Sequence, residues 1–136
     1  MPLVIDASVT LVWCFDDEES DYADRVLERA VADEVVVPPV WASEVGNGLV
    51  SGQRRSRIEV DEFPYLLGLL SGVGARVVDL SLDELLGPVA VLALAHNLTV
   101  YDASYLHIAM RESLPLATLD RRLRAAAAGA GCALFE

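Results

Sequence analysis

An α/β fold with a mostly parallel central sheet is predicted by three features of this chain. Short apolar runs such as Leu3-Val4-Ile5 and Val35-Val36-Val37 alternate with stretches of helical periodicity. Those runs are continuously apolar rather than alternating, as strands covered on both faces must be. No linker, repeat array or low-complexity tract divides the 136 residues, a length that suits one domain, residues 1–136, with a core of its own.

Taken in order, Leu3-Val4-Ile5 is the first strand, and Ala7 to Phe15 carries apolar residues at helical spacing. The acidic run Asp16-Asp17-Glu18-Glu19 breaks that pattern. Ser20 is placed to cap a second helix to about Ala32, with Tyr22, Val26, Leu27 and Ala30 on one face. Val35-Val36-Val37 is a strand stopped by Pro38-Pro39, and a helix from Val40 to Arg54 follows, weakened by Gly46, Gly48 and Gly52. Val60 to Gly72 reads as a helix with Pro64 in its first turn. Val77-Val78 is a short strand and Leu82 to His96 a helix. The remainder reads as strand Leu98–Tyr101, helix Ala103–Glu112, strand Leu116–Thr118, helix Arg121–Ala128 and a last strand near Ala133-Leu134-Phe135.

Composition narrows the chemistry. The net charge is −11, from 21 acids against 10 bases, and every base is arginine. An acidic balance argues against nucleic acid as a partner unless cations are concentrated locally. The 54% hydrophobic content and mean hydropathy of +0.39 fit a dense core, or apolar surface that a partner covers. Cys14 and Cys132 form no metal-type pair, no signal sequence opens the chain, and no apolar run reaches membrane-spanning length. The expectation is a cytoplasmic protein away from membranes.

Ligands of an open α/β sheet bind beyond the carboxyl ends of its strands. Asp6 leaves the first strand, Asp102 follows Leu98–Tyr101, and Asp120 follows Leu116-Ala117-Thr118. Glu44, early in the helix after Pro38-Pro39, starts from the same edge, and Asn47 lies one turn further on its face. Each aspartate alone is explained by helix capping, and Glu44 by the helix dipole. Four acids at one edge call for more, because converging carboxylates repel. A hard divalent cation, Mg²⁺ or Mn²⁺, relieves that repulsion and leaves positions for water and phosphate oxygens.

Rival chemistries fail on composition. Phosphoryl-receiver and haloacid-dehalogenase-like domains also carry an aspartate after the first strand, but both require a lysine. The glycine fingerprint of a dinucleotide site is missing after that strand. His107 reads as packing or surface and His96 as a helix-end partner.

Four segments in order carry a resemblance: V-I-D-A-S, P-x-x-W-A-S-E-V-G-N-G-L, L-T-V-Y-D-A-S-Y-L-H-I-A and L-P-L-A-T-L-D-R-R-L. Over Met1 to Cys132 the chain resembles PIN-domain ribonucleases, most nearly the VapC-type toxins of toxin–antitoxin pairs. The resemblance implies a three-layer α/β/α fold with a five-stranded, mostly parallel sheet, and a Mg²⁺-dependent endoribonuclease activity. It maps the family's acids onto Asp6, Glu44, Asp102 and Asp120, with Asp6 and Asp102 the firmest metal ligands. Ser8, Asn47 and Thr118 match supporting positions, and Gly48 stands where the family usually has alanine. It also implies a homodimer and a small cognate antitoxin that inserts an arginine among the acids. The stretch Tyr65–Leu70 is a candidate surface for dimer or antitoxin, or else plain core. Arg54, Arg55 and Arg57, with Arg121, Arg122 and Arg124, are the groups that could meet an RNA backbone. A non-catalytic binding protein of the same fold, and a DNA-directed nuclease, are the alternatives.

Overall fold

The computed structural model describes all residues, Met1–Glu136. Its strands are β1 (Leu3–Ile5), β2 (Val35–Val37), β3 (Arg76–Val77) and β4 (Leu116–Ala117). They form one parallel sheet in the order β3-β2-β1-β4, with Val4 facing Val36 on one side and Leu116 on the other. Every residue of β1, β2 and β4 is buried, whichever face it points to, so both faces of the central sheet are covered.

The sheet therefore has four strands, where the family resemblance implied five. The fifth position is held by a single parallel bridge between Leu116 and Leu134. The tail stops pairing because the Phe135 carbonyl accepts the Tyr22 hydroxyl at 2.7 Å and its ring packs edge-on against Tyr22. That side-chain anchor replaces the next rung of the ladder.

The helices are α1 (Ala7–Cys14), α2 (Asp21–Ala32), α3 (Val40–Arg54), α4 (Phe63–Val73), α5 (Leu82–Glu84), α6 (Ala90–His96), α7 (Val100–Arg111) and α8 (Arg121–Ala130). Ser20 caps α2 as its spacing required, accepting from the Ala23 amide at 3.1 Å. The stretch from Val60 divides into a short 3₁₀ turn, Val60–Glu62, and α4, whose second residue is Pro64. Between α5 and α6 the chain widens into a π turn, Leu85–Val89, which accommodates Pro88 inside a continuous helical run.

The expected strand Leu98–Tyr101 is absent. Asn97, in the left-handed conformation at φ 54°, ends α6, and Thr99 then caps α7 by accepting the Asp102 amide at 3.1 Å. Only Asn97, Leu98 and Thr99 lie between the two helices, too few to reach the sheet. A β-branched, aromatic run is overridden here by a good cap two residues in. The core joins the strands to Val9, Val26, Leu106, Ile108 and Leu123, and α7 packs directly on β1 and β4.

Candidate active site

Asp6 is the first residue beyond β1 and the N-cap of α1. Its backbone still belongs to the sheet, with its amide on the Ala117 carbonyl at 3.2 Å. Its side chain is 4% exposed. One oxygen, Oδ1, accepts the Ser8 hydroxyl at 2.7 Å and the Val9 amide at 3.2 Å, while Oδ2 accepts the Thr118 hydroxyl. Burial raises the Asp6 carboxyl to about 6, against those three hydrogen bonds, and the nearby Asp102 charge adds to the rise.

Thr118 and Ser8 are the supporting hydroxyls that the sequence singled out. Thr118 Oγ1 also accepts the Asp120 amide at 3.0 Å, and Ser8 Oγ accepts the Leu119 amide at 3.0 Å. The two hydroxyls thus tie the end of β1 to the segment leaving β4. Asp120 is the N-cap of α8, accepting the Arg122 amide at 2.8 Å and the Leu123 amide at 3.3 Å through one oxygen.

Asp102 arrives by another route. It sits in the first turn of α7 rather than at a strand end, so V-I-D-A-S and V-Y-D-A-S are different junctions. The first aspartate is a cap; the second is held by one, Thr99. Asp102 nevertheless reaches the cluster: burial and the Asp120 charge raise its carboxyl, and its own charge acts on Asp6 and Glu44.

Glu44 projects from α3 and is half-buried. Its Oε1 accepts the Tyr105 hydroxyl at 2.5 Å, a short contact that partly offsets the upward push from burial. Tyr105 is 1% exposed. Burial, then the hydrogen bond to Glu44 and the charges of Glu44, Asp6 and Asp102, hold its phenol far above the usual range, so it is a permanent donor. This residue escaped the sequence reading, although its place three residues after Asp102 puts both on one face of α7. Thr10 and Trp41 also went unmarked. The indole Nε1 donates to Thr10 Oγ1 at 3.0 Å, and Thr10 donates to the Asp6 carbonyl at 2.8 Å, which fixes α3 against the start of α1.

The structure therefore gathers Asp6, Glu44, Asp102, Asp120, Ser8 and Thr118 at the carboxyl edge of β1 and β4. Asn47 stays outside, exposed and without a hydrogen bond to the acids. Among the arginines, Arg57 is paired with Asp17 at 2.8 Å, and Arg124 donates to the Thr118 carbonyl at 2.9 Å and to Glu136 at 3.0 Å. Arg54, Arg55, Arg121 and Arg122 are exposed and unpaired. His107 meets the Glu84 carboxylate at 3.1 Å.

No three acids stand close enough together to form a closed metal-ligand group. The donor chemistry still fits a hard cation, because Mg²⁺ binds through one or two carboxylates, several waters and substrate phosphates rather than an all-protein cage. Asp6 and Asp102 are both raised by burial, and the Asp102 charge adds to the rise at Asp6.

Comparison with known proteins follows the same outline. A family model described as the PIN domain matches residues 3–129. The chain is 35% identical over 123 residues to ribonuclease VapC3 of Pyrobaculum aerophilum, spanning 90% of this chain and 92% of that protein. Its fold is similar to the crystal structure of PAE2754 from Pyrobaculum aerophilum, with a TM-score of 0.70 at 26% identity over 93% of this chain and 79% of that one. It is also similar in fold to a toxin–antitoxin complex from Klebsiella pneumoniae, with a TM-score of 0.60 at 17% identity, over 87% of this chain and 86% of that one.

Proposed function

The chain belongs to the PIN-domain family, and from that premise we propose that it is a Mg²⁺-dependent endoribonuclease, the toxin of a toxin–antitoxin pair. The observation that carries the reading is the coupled set of carboxylates at the sheet edge, with Asp6 almost wholly buried among them. A relative that shares a third of its residues over nearly its whole length, and is named a ribonuclease, supports RNA as the substrate.

In this reading Asp6 and Asp102 hold the metal, with Glu44 and Asp120 completing the anionic edge. Bound there, Mg²⁺ supplies charge to offset the phosphate and lowers the pKa of a water. Ser8, Thr118 and the Val9 amide fix the Asp6 carboxylate so that no rotamer search precedes binding. Tyr105 holds Glu44 toward the same space. Glu44 and Asp120, both partly open to solvent, are placed to orient water or take its proton. Arg121 and Arg122 open α8, where the helix dipole disfavours positive charge. Their position supports a role toward phosphate rather than helix stability.

The antitoxin reading draws support from the structural likeness to a toxin–antitoxin complex. A groove of about 860 Å³ between α3 and α4, lined chiefly by Trp41, Val45, Leu49, Phe63, Leu67 and Leu70, suits an amphipathic segment of such a partner. Within Tyr65–Leu70, Leu66 is core while Tyr65 and Leu67 are exposed, and the exposed pair is what the proposed partner would cover. The homodimer is proposed to form through the exposed leucines of the helical run from α5 to α6. No single helix is long and apolar enough to cross a membrane, and the cytoplasm is the proposed setting.

The decisive assay incubates the protein with single-stranded RNA, structured RNA and DNA, with Mg²⁺ or EDTA. RNA cleavage that needs Mg²⁺ and is lost in Asp6→Asn and Asp102→Asn is expected. Cleavage of DNA alone moves the assignment to a deoxyribonuclease. No cleavage, with no heat of Mg²⁺ or Mn²⁺ binding, leaves a non-catalytic binding protein.

A further inference from the structure

Beside the acids lies a cleft of about 420 Å³ between α1 and the C-terminal half of α3. Its size falls in the range of small-ligand pockets, roughly 300–1,000 Å³. Two of its wall residues, Ser8 and Leu119, belong to the hydrogen-bond network of the acids. Ser8 Oγ donates to Asp6 Oδ1 at 2.7 Å and accepts from the Leu119 amide at 3.0 Å. A single hydrogen bond separates this cleft from Asp6.

The charges in the cleft are unequal in their commitments. Arg57 pairs with Asp17 at 2.8 Å and Glu18 at 3.5 Å, and its guanidinium lies 4.0 Å from the Phe15 ring centre. Asp17 takes both hydrogen bonds of that guanidinium, and Glu18, the only carboxylate lining the cleft, shares it at the longer distance. Arg55 lines the cleft as well, and its side chain has no ion pair or hydrogen bond. The result is an apolar floor, chiefly Leu11, Val12 and Leu119, with one uncommitted guanidinium at the rim.

We propose that this cleft seats the nucleotide next to the scissile phosphodiester, its phosphate on Arg55 and its base against Leu11, Val12 and Leu119. The proposal rests on the ribonuclease reading. It singles out one of the arginines that sequence grouped together: Arg57 is committed to Asp17 and Glu18 in the wall, and Arg55 makes the contact. Guanidinium is suited to that task because its fork binds phosphate oxygens in pairs. A ligand spanning cleft and acids passes over the Ser8–Leu119 bridge, which sets the register between Arg55 and the reacting bond.

The test measures anisotropy of a labelled single-stranded RNA across a KCl series, with Mg²⁺ present and Asp102→Asn as parent to keep the strand intact. Adding Arg55→Gln is expected to weaken binding several-fold. It should also flatten the slope of log K against log salt by about 0.7, the share of one phosphate contact on a single strand. Arg25→Gln, an equal charge change on α2, should leave the slope alone, and Arg55→Gln should leave the melting temperature alone. An unchanged slope for Arg55→Gln, while the unmodified chain cuts RNA, overturns the cleft and spares the nuclease. An unmodified chain that does not cut RNA and a parent that does not bind it overturn both.

Discussion

At Asp6 the fold accepts a cost whose sign can be worked out. The carboxyl is raised from 3.8 to about 6, so the folded chain holds the proton more tightly than the unfolded chain. Its contribution to stability is complete below pH 3.8 and is lost as pH rises to about 6. The loss is on the order of 3 kcal/mol at neutral pH. Asparagine keeps the cap and one acceptor without the charge. In EDTA at pH 7.5, Asp6→Asn is therefore expected to melt no lower than the parent, and the difference should shrink towards pH 4. A variant that melts well below the parent at pH 7.5 would show that the anion is needed for folding. Tyr105 supports a different prediction. Removing its hydroxyl in Tyr105→Phe leaves the half-buried Glu44 without its donor. Loss of a supporting partner of this kind typically costs about 10–100-fold in activity or metal affinity. Cleavage kinetics and Mg²⁺ titration would check it, with unchanged kinetics overturning the role. Asp6 was legible in the sequence because a strand end and a cap coincide there. Tyr105 was not, because a buried tyrosine on a helix face looks like core until its hydroxyl finds an acid.

Among the elements, α3 shows how packing decides what propensity leaves undetermined. Its glycines weaken it as an isolated helix, yet they are not equivalent. A Cβ at Gly52 would stand 2.4 Å from the Phe15 ring, and one at Gly48 2.6 Å from Leu11, whereas Gly46 has nothing within 4 Å. Gly52→Ala is expected to destabilise by about 1–3 kcal/mol through overpacking. Gly46→Ala should stabilise by roughly 0.5–1 kcal/mol through helix propensity. Thermal melts of the two variants, moving in opposite directions, would check this. At position 48, where glycine departs from the family's usual alanine, a Cβ would require the Leu11 methyls of α1 to shift. The same rule operates before α7. Thr99→Ala removes the cap that starts the helix and is expected to cost about 1 kcal/mol. Because Asp102 lies in the turn so released, cleavage should fall further than the melting temperature alone accounts for. The alternation of strands and helices was readable along most of the chain. It failed at Leu98–Tyr101, where local β propensity and a capping threonine compete, and at the tail, where Tyr22 holds Phe135.

For the whole molecule, the unresolved matter in the composition was where so much apolar content goes. Much of it is core, but Leu86 and Leu94 remain 73% and 85% exposed. The proposed homodimer predicts that sedimentation finds a dimer and that Leu86→Glu with Leu94→Glu gives a folded monomer. A wild-type monomer at micromolar concentration would overturn that assembly.

The sequence by itself determined the βα alternation, the buried parallel strands and the aspartates at the ends of β1 and β4. These follow from local pattern: apolar runs, caps and chain direction, all encoded within a few residues. It also excluded lysine-dependent chemistry outright. Only the tertiary structure decided the number of strands, the route by which Asp102 reaches the acids, and the pairing of Tyr105 with Glu44. It decided too that Arg57 is bound while Arg55 is free. Apart from the Asp102 junction, where the Thr99 cap lies only three residues away, each of these depends on a contact between residues far apart in the chain, and such contacts exist only once the sheet has brought its helices together.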